Sequence, residues 1–97
     1  MEKIEAQEYA QKLLSVTFRE AIQEMLKVMI EGKEKYKKDD WETRSIDHHL
    51  EHIRAHLDSY DKNRDFKHLY DLTHAMTRCM MLTQALINKS PNEYMRT

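Results

Sequence analysis

Six histidines lie between positions 48 and 74, and histidine is a common ligand for transition metals near neutral pH. They are His48, His49, His52, His56, His68 and His74. His52 and His56 are four residues apart, so a helix places their imidazoles one turn apart, where both can bind one divalent ion. Asp71 or His74 can complete a set of three ligands from a neighbouring helix. The alternative interpretation is that these are polar residues on a helix flank that happen to be histidine.

A second candidate site is the lysine-rich connector that precedes the histidines. Its charged and aromatic residues are Lys33, Lys35, Tyr36, Lys37, Lys38 and Trp41. Lysines can neutralise phosphate, and an aromatic ring can stack on a nucleobase. Arg78, which continues the stripe of His68, Asp71 and His74, is a further candidate for binding a nucleotide. The alternative is a solvated connector in which Trp41 fills the end of a helical bundle.

Carboxylates along the first predicted helix form a third candidate group. Glu31 and Glu34 lie about one helical turn apart, and paired carboxylates can hold Mg²⁺ through their oxygens. For any single carboxylate the alternative is a solvated helix face, as expected for Glu24 beside Lys27.

The elements that must position these residues are helices. One glycine, one proline and a helix-favouring composition predict an all-α protein. We expect a long N-terminal helix, continuous or slightly bent near residues 15–17, that frays within residues 32–38. It packs on an antiparallel helical hairpin, whose first helix can be capped by Ser45 and carries a helical apolar seam. The seam is Ile46, Leu50, Ile53, Leu57 and Tyr60. A polar turn over residues 61–65 joins this helix to one that spans about residues 65–88.

Helical periodicity divides the histidines of the hairpin between faces. It places His49, His52 and His56 on one flank of the seam and His48 on a different side. The antiparallel arrangement brings that flank level with the His/Asp stripe of the other helix. Whether the two meet depends on helix rotation, which the sequence does not determine.

The last helix is apolar on almost every face, which is typical of a helix buried in a bundle or against another subunit. We therefore predict a homo-oligomer in which residues between Met76 and Ile87 lie between subunits. In the N-terminal helix, Ile4, Tyr9 and Leu14 are among the predicted buried positions. Residues from about 90 onward are expected to form a loose tail.

Length and charge limit the function classes. The 97 residues predict a single domain over residues 1–97, and a net charge of −1 gives no overall attraction to a nucleic-acid polymer. The single cysteine, Cys79, fits a reducing cytoplasm, and no apolar run is long enough to span a membrane. We expect a cytoplasmic protein with neither a membrane nor a nucleic-acid polymer as partner.

A set of short motifs in a fixed order carries a family resemblance. They are Lys35-Tyr36, Trp41, Ala55-His56-Leu57 and Asp71-Leu72-Thr73-His74-Ala75. With this order and spacing the chain resembles the phage-associated dATP/dGTP diphosphohydrolases, small relatives of the MazG-like all-α nucleotide pyrophosphohydrolases. The resemblance covers roughly residues 20–87.

The resemblance implies a MazG-like helical bundle that handles a nucleotide or a nucleotide-derived small molecule. It implies metal-dependent cleavage of a nucleoside triphosphate to the monophosphate and pyrophosphate, with Mg²⁺ or Mn²⁺ as cofactor. The metal would be held by the carboxylates and the His/Asp stripe, and the lysines would neutralise the phosphates. The alternative is a non-catalytic phage-type sponge that sequesters a nucleotide or a nucleotide-derived immune signal. A structural helical oligomer without a ligand is a third interpretation.

Three positions depart from the family pattern. Asp40 stands where the family has Asn, Ala55 where it has Arg, and Asp71 where it has the first His of its His-Leu-x-His-Ala motif. In the broader MazG-like pattern, Glu31 and Glu34 match the Glu-x-x-Glu half. Glu51 with Arg54 does not match the Glu-x-x-Asp half. The resemblance therefore implies a nucleotide-handling helical fold more firmly than it implies hydrolysis.

Overall fold

A computed structural model describes residues 1–36 and 40–96 and contains helices and turns but no strand in those ranges. The helices are α1 (Lys3–Lys12), α2 (Arg19–Tyr36), α3 (Ile46–Asn63), α4 (Leu69–Lys89) and α5 (Pro91–Arg96). The prediction of an all-α fold is confirmed. The predictions made for Lys37, Lys38 and the Tyr36 side chain lie outside the described residues.

A π-helical turn, Leu13–Thr17, separates α1 from α2 in place of one continuous α-helix. The Phe18 N–H donates to the Leu13 carbonyl five residues earlier, at 2.9 Å. The Ser15 hydroxyl donates to the Gln11 carbonyl at 2.8 Å, and such back-bonding beside β-branched Val16 weakens regular α-helix.

The N-terminal arm, which we define as residues 1–17, is therefore largely solvated. Every residue from 1 to 12 is exposed, and Leu13 is half-buried. The prediction that Ile4, Tyr9 and Leu14 are buried is wrong for this chain: α1 packs against the π turn, and these side chains lie in solvent.

The hairpin of α3 and α4 is closed by local caps. The Ser45 hydroxyl accepts the His48 N–H at 3.0 Å, as expected for an N-cap. After α3, Arg64 adopts a left-handed conformation with φ of 46° and donates its N–H to the Tyr60 carbonyl. Asp65 then caps a 3₁₀ turn, Phe66–His68, so α4 begins at Leu69 rather than near residue 65.

The chain after α4 continues into a short helix, α5. Pro91 occupies the first position of α5, where its fixed φ suits a helix and its missing N–H is no loss. The Tyr94 N–H donates to the Ser90 carbonyl at 3.2 Å. Residues 91–96 thus form a short helix with exposed side chains, and the expected looseness of this tail stays a prediction.

The core lies where α3 and α2 pack against α4, and it is small and unusually polar. Its buried apolar residues in the described ranges are Ile53, Ala75 and Ala85, and its buried polar residues are His49, Asp71, Thr73 and Thr77. Throughout residues 1–36 and 40–96, buried side-chain nitrogens and oxygens all have a hydrogen-bond partner. The core is therefore held by directional contacts as well as by apolar packing.

Helix α4 satisfies several of its own hydroxyls. Thr73, Thr77 and Thr83 each donate to the carbonyl four residues earlier, at 3.3, 2.7 and 2.7 Å. Met76, Cys79, Met80 and Leu86 are exposed on the same helix, so the predicted subunit interface remains a prediction. Within the described residues, no helix combines the length and hydropathy that a membrane span requires.

Candidate functional site

A cavity of about 510 Å³ lies between the C-terminal part of α2, the 3₁₀ turn Trp41–Thr43 and the α3–α4 pair. Its charged lining consists of Lys33, Lys35, Arg44 and Arg78 with Glu31 and Asp40. Four imidazoles also line it, those of His48, His52, His56 and His74. Because basic residues outnumber acidic ones, the wall attracts anions, and its volume suits a small-molecule ligand.

The basic side chains come from three elements. Lys33 and Lys35 lie in the last turn of α2, where the helix dipole favours positive charge. Arg44 follows the Trp41 turn and forms an ion pair with Asp40 at 2.7 Å. Arg78 projects from α4. Arg44 was not among the residues singled out from the sequence, although its four-residue spacing from Asp40 was a usable signal.

The apolar lining lies beside these charges. Val28, Met29, Trp41 and Met81 contribute it, and the Trp41 side chain is half-buried. Trp41 thus both packs against the bundle and forms part of the cavity wall, which combines the two interpretations left open by the sequence. Such a wall can accept the flat face of a nucleobase.

His48, His52 and His56 form a row along α3 with four-residue spacing. The rings of His48 and His52 are 4.6 Å apart. Burial, followed by the positive charge of Arg78, lowers the pKa of both His48 and His52 below the ordinary value of 6.5. These two imidazoles are therefore neutral at pH 7 and able to accept hydrogen bonds or bind a metal.

The prediction that His48 lies on a different side from the site is wrong. His48 lines the cavity, whereas His49, which was placed on the flank of His52 and His56, is fully buried. The predicted histidine face of α3 differs from the observed cavity face by one residue, His49 in place of His48. Which of the two faces the cavity depends on the rotation of α3 against α4. The four-residue spacing of 48, 52 and 56 was the signal that could have identified the row.

His56 is held by a buried carboxylate. Asp71, 2% exposed, accepts hydrogen bonds from His56 Nδ1 and from the Ser59 hydroxyl, each at 2.8 Å. The bond from His56 keeps the pKa of Asp71 below its ordinary value. Because the ionised carboxylate only accepts, Nδ1 carries a proton, and the neutral tautomer compatible with this bond has its lone pair on Nε2. Asp71 therefore orients a cavity-lining imidazole instead of lining the cavity itself.

His74 resembles His56 in its hydrogen bonding. Its Nδ1 donates to the Tyr70 carbonyl at 2.8 Å, which again leaves the lone pair on Nε2. The rings of His56 and His74 stack with centroids 4.8 Å apart and planes at 30°. His52, His56 and His74 of the predicted metal set thus all line the cavity. His68 belongs elsewhere, bonded to Asp65 beside the hairpin turn.

The carboxylates of the predicted metal set are separated. Glu31 lines the cavity, Glu34 is exposed on α2, and Asp71 is engaged by His56 and Ser59. No three His, Cys, Asp or Glu side chains in residues 1–36 and 40–96 stand close enough together to form a metal site.

His49 is the residue whose place was predicted wrongly from the sequence. It is 0% exposed, its Nε2 lies 2.9 Å from the Trp41 carbonyl oxygen, and its Nδ1 lies 3.5 Å from Nη1 of Arg78. A buried side chain thus contacts two residues that line the cavity.

Comparison with known proteins identifies the family of the chain. The family model described as "dATP/dGTP diphosphohydrolase, N-terminal" matches residues 2–94. The chain belongs to this family. No curated protein and no solved structure matches the chain. The resemblance identified from the sequence motifs is therefore confirmed, and its extent is greater than residues 20–87.

Proposed function

We propose that this protein binds a purine deoxynucleoside triphosphate in the cavity and hydrolyses it to the monophosphate and pyrophosphate. The observation that carries the proposal is a cavity lined by four basic residues and four imidazoles in a chain of the dATP/dGTP diphosphohydrolase family. The phosphates would lie against Lys33, Lys35, Arg44 and Arg78. The base would lie against Trp41 and the methionines of the apolar wall.

The lysines, arginines and histidines of the cavity would interact with the phosphates in different ways. Lysine supplies point charges, whereas the planar guanidinium groups of Arg44 and Arg78 can form paired hydrogen bonds with phosphate oxygens. Positive charge aimed at the bond between the α and β phosphates also favours departure of pyrophosphate, whose negative charge increases as that bond breaks. Neutral His48 and His52 can donate or accept hydrogen bonds without repelling a cation.

Because no three His, Cys, Asp or Glu side chains in residues 1–36 and 40–96 stand close enough to hold a metal ion by themselves, a divalent ion used by the protein would have to be shared with the nucleotide. Mg²⁺ and similar ions are often bound by one or two protein ligands together with substrate phosphates. Of the residues that line the cavity, Glu31 would offer a carboxylate to such an ion, and His52, His56 or His74 would offer an imidazole nitrogen, which suits Mn²⁺ better than Mg²⁺. A bound ion would lower the pKa of water and polarise the phosphoryl oxygens.

A second candidate function is nucleotide capture without hydrolysis. Asp71 occupies the position of a family histidine, and its carboxylate is buried and bonded to His56 and Ser59. Asp71, which stands at a position that the family resemblance assigns to the metal, therefore orients the His56 side chain. This favours a protein that retains the pocket and sequesters its nucleotide.

One assay separates these functions. The protein is incubated with dATP, dGTP and the other nucleoside triphosphates plus Mg²⁺ or Mn²⁺, while thermal unfolding is followed in parallel. Release of pyrophosphate from dGTP or dATP supports the enzyme, and a thermal shift without turnover supports capture. Arg78→Gln should weaken either signal, because one of the four basic residues of the cavity wall is lost, and Arg54→Gln, an exposed arginine on α3 outside the cavity lining, is the matched control. A parent protein that gives neither signal would overturn both functions.

A further inference from the structure

His49 lies where a helix pair would ordinarily bury a leucine or an alanine. It is 0% exposed, on the α3 side of the contact with α4. Burying an imidazole is costly unless its polar atoms are hydrogen-bonded. Both ring nitrogens of His49 have partners, and both partner residues, Trp41 and Arg78, line the cavity.

The hydrogen bonds define the form of the ring. The Trp41 carbonyl oxygen can only accept, so His49 Nε2 carries the proton and donates to it. The guanidinium of Arg78 can only donate, so His49 Nδ1 must offer its lone pair. The imidazole is therefore the neutral Nε2–H tautomer, with one nitrogen assigned to each partner.

We propose that His49 is a positioning residue that holds the Arg78 guanidinium in the cavity wall and fixes the backbone of Trp41 in another part of that wall. The inference rests on the proposed function, since Arg78 and Trp41 are taken to contact the phosphates and the base. A single buried ring then fixes the distance between the groups that bind the two ends of the nucleotide.

The ring has no access to a ligand, so its role is exercised through its two partners. Arg78 can make several hydrogen bonds, and a neutral acceptor beneath one of its nitrogens restricts the orientation of the plane without cancelling its charge. A carboxylate at this position would instead neutralise the guanidinium and weaken its attraction for phosphate. A neutral histidine supplies the hydrogen-bond acceptor and does not reduce the positive charge of Arg78 in the cavity wall.

Two substitutions separate the two bonds. A glutamine amide nitrogen reaches the position of Nε2, so His49→Gln keeps the donor to Trp41 and loses the acceptor for Arg78. An asparagine amide oxygen reaches the position of Nδ1, so His49→Asn keeps the acceptor and loses the donor. Each variant removes one buried hydrogen bond, and we expect similar losses of thermal stability from the two.

The expected binding results differ. Inorganic tripolyphosphate and dGTP are titrated calorimetrically into the parent protein and each variant. His49→Gln should weaken both ligands by about tenfold, as expected when a hydrogen bond to a charged group is disturbed. His49→Asn should leave tripolyphosphate unchanged and weaken dGTP alone, because only the wall at Trp41 is loosened.

A double-variant cycle tests whether His49 acts through Arg78. In the Arg78→Gln background, His49→Gln should cost no further affinity for tripolyphosphate. An equal loss in both backgrounds, or equal effects of His49→Gln and His49→Asn on tripolyphosphate, would overturn the proposal and leave His49 as a core residue only.

A spectroscopic measurement distinguishes failure of the His49 positioning role from failure of the proposed function. In ¹⁵N spectra of the parent protein, His49 should have a protonated Nε2 and an unprotonated Nδ1, and Arg78→Gln should shift the Nδ1 signal. These signals do not need a nucleotide. The positioning role would be overturned, even if dGTP binds, by the opposite tautomer or by an Nδ1 signal that is the same in the parent protein and in Arg78→Gln. The expected signals without any nucleotide binding would overturn the proposed function alone.

Discussion

The N-terminal arm and the α3–α4 pair distribute their side chains in opposite ways. In the arm, apolar side chains lie in solvent, with Ile4 69% and Leu14 63% exposed. In the α3–α4 pair, His49 and Thr77 are 0% exposed and Asp71 is 2% exposed. The arm thus exposes apolar side chains, whereas the α3–α4 pair buries polar side chains beside Ile53, Ala75 and Ala85.

The difference in burial between the two regions indicates the role of the buried polar residues of the α3–α4 pair. Buried polar groups fix a geometry because their hydrogen bonds are directional, but they contribute less net stability than apolar packing. Asp71 orients His56, and His49 contacts Arg78, so the buried residues of the pair support the cavity wall. The arm has no such role, and its apolar residues remain available for contacts outside the chain.

The largest expected effect concerns assembly. We predict a homo-oligomer through the exposed apolar residues of α4, so Met80→Glu should convert it to a monomer. Leu14→Lys, the matched change in the arm, should leave the oligomer intact. Light scattering at micromolar concentration measures both. If Leu14→Lys is the variant that dissociates the protein, the arm is buried in the assembly and the contrast between the two regions no longer holds.

The next effect concerns folding stability. Ile53→Ala should lower the free energy of unfolding by about 3 kcal/mol, because it leaves a cavity in a core with few apolar residues. Ile4→Ala in the arm should change it by less than about 0.5 kcal/mol. Urea unfolding followed by circular dichroism provides both values. Similar losses for the two would show that the arm contributes to the core.

The third effect concerns phosphate binding at the end of α2. Lys33→Gln and Lys35→Gln should each weaken dGTP binding by about 1.5–3 kcal/mol if the lysine contacts a phosphate, and by less if it acts at longer range. Lys27→Gln is the control, because Lys27 lies on the same helix and pairs with Glu24. Calorimetry at two salt concentrations distinguishes contact from screening. Unchanged affinity in both cavity variants would place the phosphates elsewhere.

The fourth effect is a pH dependence of binding. His48 and His52 have pKa values lowered below 6.5, mainly by burial and then by Arg78. A bound triphosphate opposes Arg78 and favours protonation, so it raises both pKa values and binding takes up protons. Affinity should therefore increase as the pH falls from about 7.5 to 5.5, by at most about tenfold per proton and pH unit.

Calorimetry in metal-free buffers of different ionisation enthalpy measures this proton uptake directly. His48→Asn with His52→Asn should remove it, whereas His68→Asn, which lies beside the hairpin turn, should not. An affinity that falls on acidification would contradict proton uptake by these two imidazoles.

The smallest effect concerns the cap of α3. Ser45→Ala removes the acceptor of the His48 N–H and should cost about 1 kcal/mol of folding stability. Ser45→Asp should retain the cap and the stability. Chemical unfolding measures both, and a neutral Ser45→Ala would indicate that the caps contribute little to the order of the hairpin.

The elements could be predicted from the sequence because their signals are local. The spacing of the seam, the Ser45 cap and the turn near residues 61–65 all identified the hairpin. The motif order identified the family. The π turn was missed because Ser15, Val16 and Thr17 were read as a weak point in a helix and not as a change of period.

The site was harder to predict because it depends on helix rotation. Adjacent residues of α3 differ by about 100° around the helix axis, so the orientation of α3 against α4 decides whether His48 or His49 faces the cavity, and no single-helix pattern reports that orientation. Asp71 was assigned to the metal because a carboxylate in a stripe resembles a ligand. Its hydrogen bonds to His56 and Ser59 depend on contacts between helices.

The π turn also bears on how the chain tolerates changes of length. A π turn accommodates one residue more than a regular helical turn, so loss of one residue there can be absorbed by a return to α-helical hydrogen bonding. The change would end at Phe18, before α2 begins, and Lys33 and Lys35 at the far end of α2 would keep their positions in the cavity wall. The loss of one residue from the arm can thus be absorbed before α2 begins, without moving the side chains of the cavity wall.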